Sequence, residues 1–77
     1  MYDYEKLRLL ILQKYGTVKN FCKTTRLFKE SYISRLLSGE LAFSMRNIEK
    51  LISHFNISQR DIGLYFFTKR VSKNWNK

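Results

Sequence analysis

The sequence predicts an all-α fold, a small bundle of five helices. Three observations carry that expectation. The 77 residues include no proline and only three glycines, so little interrupts a helical chain. Apolar residues recur at i, i+3, i+4, i+7 in several windows, the spacing of one buried helix face. Cap-forming residues (Asp3, Thr17, Ser44 and Ser58) stand just ahead of those windows.

A first helix is expected from Asp3 or Tyr4 to Tyr15, with Asp3 as N-cap and Glu5 favouring the first turn. Leu7, Leu10, Ile11 and Lys14 or Tyr15 form its buried face, and Leu9 and Leu12 widen it, so this helix should touch more than one neighbour. Gly16 is placed to end it in a left-handed conformation. A second helix should start at the Thr17 cap and run to about Thr25, with Val18, Phe21, Cys22 and Thr25 sharing a face. Cys22 reads as a small buried hydrophobe.

The following turn, about Arg26 to Lys29, has no glycine; Leu27 and Phe28 should plug the core there. A third helix is expected from Glu30 to Ser38, stopped by Gly39. Ile33, Leu36 and Leu37 face inward, Glu30, Ser31, Ser34 and Arg35 outward, and Tyr32 lies at the margin. A loop with Leu41 and Phe43 tucks onto the core. Ser44 then caps a fourth helix from Met45 to Phe55, with Ile48, Leu51, Ile52 and Phe55 as its stripe and His54 as a plain surface residue. A fifth helix begins at Ser58-Gln59-Arg60-Asp61, close to a capping box, and carries Ile62, Tyr65 and Phe66, weakened by Gly63. Residues 1–67 are expected to form the domain and 68–77 a basic tail, in which Trp75 is either a partner contact or idle.

Function enters through charge. Fifteen Lys and Arg against six Asp and Glu give a formal net charge of +9 and point to a polyanionic partner. Thr17 to Gly39 concentrates it: two short helices, apolar inside and basic outside, make a helix-turn-helix whose second helix can lie in the DNA major groove. An ordinary αα-hairpin in a bundle has the same spacing. In the DNA reading, Arg35 can donate two bonds to guanine and Glu30 can accept from cytosine, while Ser31, Tyr32 and Ser34 can reach bases or phosphates. Arg46 beside the fourth helix N-terminus suits a phosphate.

Other classes find little support. One cysteine allows no internal disulfide, and Cys22 with His54 alone supports neither a metal site nor a nucleophile. No enzymatic equipment and no cofactor are expected. No run approaches the ~18 apolar residues of a membrane span, and MYDYEKL lacks signal-peptide order. The expected location is cytoplasmic, on the nucleoid of a bacterial host cell.

The elements YEKLRLLI, YGTVKNFCK, YISRLLSG and RDIGLYFFTKRVSKN resemble the small Cro/repressor-type (XRE-like) helix-turn-helix proteins of bacteriophages and mobile elements, in particular a short Cro-like phage-associated family of Gram-positive hosts. That resemblance implies a lambda-repressor-like five-helix domain that binds operator DNA as a weak homodimer and regulates by occupancy. It implies base contacts from Glu30, Ser31, Tyr32, Ser34 and Arg35, and phosphate contacts from Thr17, Lys19, Asn20, Ser38 and Arg46; Lys29, at the end of the basic turn, is expected to join the phosphate contacts. The chain departs from the pattern in two places. The stretch from Phe21 to Gly39 is one residue longer and lacks the usual turn glycine, and Val18 stands where a glutamine is usual. The rival reading is an antirepressor that binds another repressor protein.

Overall fold

The computed structural model describes residues 2–69. The chain forms α1 (Glu5–Tyr15), α2 (Val18–Thr25), α3 (Glu30–Ser38), α4 (Met45–Phe55), a single 3-10 turn (Gln59–Asp61) and α5 (Ile62–Phe66). It is an all-α domain of five helices, with the expected order and nearly the expected boundaries. The expected tail lies outside the described residues from Arg70 on, Trp75 included.

The core is built from the predicted stripes. Leu7, Ile11, Phe21, Ile33, Leu36 and Leu51 are fully buried, and Phe66 nearly so. Around them pack Tyr4, Cys22, Phe28, Leu37 and Ile48. Burial of this set is the main stabilising term, at about 1.5–3 kcal/mol for each large side chain. Helix α1 packs against α2, α3 and α5, and α2 packs against α3. Helix α4 reaches the others through long side chains: Phe55 stacks on Phe21 with ring centroids 5.6 Å apart. No helix among the described residues is long and apolar enough to cross a membrane.

Four details correct the sequence reading. The N-cap of α1 is Tyr4, because the Asp3 carboxylate accepts the Glu5 N–H from one residue further out. Leu9 does not widen the buried face; it is about half exposed, since two residues at 100° each carry it almost opposite Leu7. The capping box at Ser58 does not form: Ser58 Oγ donates to Asp61 Oδ2 at 3.3 Å, and a 3-10 turn precedes a five-residue α5. His54 is exposed but not plain, because its Nε2 lies 2.6 Å from the Tyr15 hydroxyl.

The turn between α2 and α3 solves its missing glycine with Arg26. This residue takes the left-handed conformation at φ +56° and donates its N–H to the Cys22 carbonyl at 2.8 Å, closing α2. Gly39 does the same for α3 at φ +88°, where a side chain is disfavoured. The two ends of the described stretch meet: Asp3 N–H donates to the Thr68 carbonyl at 2.6 Å, and Tyr2 forms an isolated antiparallel bridge with Lys69.

Candidate nucleic-acid interface

Helix α3 has nine residues. At about 100° per residue, Glu30, Ser34, Ser38, Ser31 and Arg35 fall within an arc of roughly 140°. All five are exposed. Ile33, Leu36 and Leu37 take the opposite side and are buried. The polar arc therefore follows from the same amphipathic pattern that builds the core.

The cations sit beside it. From Thr17 to Lys29 the chain carries Lys19, Lys23, Arg26 and Lys29 and no acid. All four are exposed, and Lys19 and Lys23, four apart, share one side of α2. Among the described residues the one ion pair is Arg35 Nε to Glu40 Oε2 at 3.8 Å. Both side chains are well exposed, so water screens the pair, and it leaves Arg35 able to change partner.

The structure sorts the expected phosphate contacts into free and engaged groups. Thr17 Oγ1 accepts the Asn20 N–H at 2.9 Å, as a cap should. The Asn20 side chain donates to the Tyr15 carbonyl at 2.8 Å and accepts from Thr24 Oγ1. It fastens the end of α1 to the start of α2. Ser38 Oγ donates to the Arg35 carbonyl at 3.1 Å and accepts the Glu40 N–H. Asn20 and Ser38 thus hold backbone in place, while Lys19, Lys29 and Arg46 are exposed and make no ion pair among the described residues. Arg46 lies in the first turn of α4, whose N-terminus is capped by Ser44 Oγ accepting from Asn47 N–H at 3.2 Å.

Tyr32 is the margin residue, and here the structure adds what periodicity missed. Its hydroxyl accepts a hydrogen bond from Asn47 Nδ2 at 2.9 Å. Asn47 is the one buried polar residue among the described residues. The Tyr32 ring packs against Phe28 at 6.3 Å and 26°, and Lys50 Nζ lies 5.5 Å from the Phe28 ring centroid. Asn47 and Lys50 join α4 to the α3 face. The only signal in the sequence was a polar residue, Asn47, beside Ile48, the first residue of the buried stripe of α4.

Two ionisable groups are perturbed, neither on the polar arc. Burial pushes the Cys22 thiol up from its ordinary value, and the Glu30 carboxylate adds to the shift. Burial likewise raises the Tyr4 hydroxyl, with Tyr2 contributing. Cys22 is held as the neutral thiol, a poor nucleophile. No group of three His, Cys, Asp or Glu among the described residues is arranged to hold a metal ion.

A family model described as "Protein of unknown function (DUF739)" matches residues 1–69. No curated protein matches the chain, and no solved structure does.

Proposed function

The chain belongs to the DUF739 family, and we propose that it is a sequence-specific DNA-binding transcriptional regulator. In this reading α2 and α3 form a helix-turn-helix, and the protein is a Cro-like repressor of phage or mobile-element promoters. It acts by occupancy: the bound protein, a weak homodimer on its operator, excludes polymerase or a competing repressor. The observation that carries the reading is the pairing of an acid-free, four-cation stretch from Thr17 to Lys29 with the exposed polar arc of α3. Phosphates would be met by the cations and base edges by the arc. Glu30, Ser31, Tyr32, Ser34 and Arg35 are the base readers of this proposal. Thr17, Lys19, Lys29 and Arg46 position the duplex, with Asn20 and Ser38 holding the backbone that presents them. The site needs no cofactor and performs no reaction, and the protein works in the bacterial cytoplasm.

Footprinting and gel retardation on the promoter beside its own gene test this. A symmetric footprint with half-sites about 10 bp apart supports the reading. Affinity should fall roughly 10³-fold from 50 to 200 mM salt if six phosphates are touched. Retention of no duplex at 50 mM salt overturns it.

A second reading, a modulator that binds another repressor, draws on a different surface. Tyr2, Leu64 and Phe67 are exposed, and Tyr2 packs edge-on against Phe67 at 5.6 Å. Co-purification with a repressor, without retardation of any promoter fragment, would favour it.

A further inference from the structure

We infer that Asn47 is a positioning residue that commits the Tyr32 hydroxyl to donating, so that this point of the α3 face selects a hydrogen-bond acceptor and rejects a donor. The inference rests on the DNA-binding reading for the identity of the partner, but not for the state of the hydroxyl.

A phenol has one proton and can also accept. At Tyr32 the acceptor side is occupied, because Asn47 Nδ2 donates to it at 2.9 Å. The hydroxyl proton must then point away from Asn47. No hydrogen bond among the described residues receives it, and Tyr32 is 40% exposed. The ring cannot easily turn to change this arrangement, because Phe28 stacks against it and is itself buried. Nor can Asn47 easily withdraw. Its side chain is buried, and its N–H is fixed by the Ser44 cap. A buried carboxamide that lost this bond would leave its N–H group without a partner, which is costly.

The Tyr32 position therefore offers one outward donor. On duplex DNA it matches a phosphate oxygen, or the acceptors of the major groove: guanine O6 and N7, adenine N7 and thymine O4. It opposes the amino groups of cytosine and adenine. A tyrosine without its Asn47 partner could rotate its proton and accept from either amine.

The test uses the full chain with Tyr32→Phe, Asn47→Asp and the double variant. An aspartate at position 47 can only accept when ionised, so the Tyr32 proton turns inward and the outward donor is lost. The probe is the tightest duplex that the wild-type protein selects from a randomised 25-bp library. Tyr32→Phe should weaken it about fivefold. Asn47→Asp should cost more in the wild-type background than in Tyr32→Phe, while the new negative charge acts equally in both. Additive losses overturn the inference. A methylphosphonate scan and 7-deazapurine substitution then separate the two sources of acceptor. Loss of the Tyr32→Phe effect at one modified phosphate assigns the backbone, and loss at one modified base assigns the groove. The free protein supplies an independent readout. In Tyr32→Phe the Asn47 side-chain amide protons should move upfield in the ¹H–¹⁵N spectrum. Unmoved resonances overturn the inference with or without DNA, whereas failure of the wild type to select any duplex overturns the DNA-binding reading instead.

Discussion

The Tyr15 hydroxyl and His54 Nε2 meet at 2.6 Å across 39 positions of sequence. They join the last residue of α1 to the last turn of α4. Their rings also stack at 6.0 Å, and both rings contact Phe21. This contact closes the aromatic cluster between the end of α1 and the end of α4. Tyr15→Phe keeps the ring and deletes the bond, and it should cost about 0.5–1 kcal/mol, because the pair is exposed to water. Urea unfolding of the two proteins measures it. His54→Ala should cost more, since it also removes ring contacts with Phe21 and Phe55.

Phe21 is the centre of that cluster, fully buried and in contact with Tyr15, Phe28, His54 and Phe55. Phe21→Ala should cost about 3–5 kcal/mol. A domain of this size holds only about 4–12 kcal/mol in total. Thermal melting followed by circular dichroism should show a transition lowered by more than about 15 °C or lost altogether.

Arg26 occupies a left-handed position at φ +56°, which disfavours any residue with a Cβ by about 1 kcal/mol. Arg26→Gly relieves this but gives the unfolded chain more freedom. The net expectation is a stabilisation of about 0.5 kcal/mol, read from the urea midpoint. Arg26→Val, β-branched at the same place, should destabilise by more than 1 kcal/mol.

Cys22 and Tyr4 make stability fall at alkaline pH. Both have folded-state pKa values above their ordinary 9.0 and 10.0. The unfolded chain therefore releases these protons first as pH rises. The stabilising contribution is complete below about pH 9, falls above it, and is lost as pH passes the raised folded values. Urea midpoints at pH 7, 9 and 10.5 should decline in that order. Native Cys22 should also react with iodoacetamide far more slowly at pH 8 than it does in 6 M guanidinium chloride.

Arg35 is loosely held by Glu40 at 3.8 Å, which sets two opposite expectations under the DNA-binding proposal. Arg35→Ala should relax discrimination at one base position, costing about 1–3 kcal/mol there. Glu40→Gln frees Arg35 and removes a negative charge near the duplex, so binding should tighten a few-fold at low salt. Fluorescence anisotropy with the selected duplex measures both. Equal selectivity in Arg35→Ala and wild type would remove Arg35 from the reading set.

Much of this molecule could be read from residue order alone. Apolar spacing located four long helices to within a residue or two, because each buries one face and the 3.6-residue period prints that face into the chain. Thr17 and Ser44 marked helix starts because a side-chain oxygen is needed where backbone N–H groups lack partners. Helix α3 begins at Glu30 as its sequence suggested, despite the turn without glycine, because Arg26 adopts the left-handed conformation itself. What spacing could not supply lies between elements. The Asn47–Tyr32 bond spans 15 positions and the Tyr15–His54 bond 39. Periodicity describes one helix at a time and cannot say which polar edges of two helices will meet. The bonds that occupy Asn20 and Ser38 are local, within five positions, but apolar spacing carries no information about polar side chains. The sequence determined the helices, the basic stretch and the polar arc of α3. Only the tertiary structure decided which of those polar groups are already engaged, because hydrogen bonds are fixed by distances that packing sets.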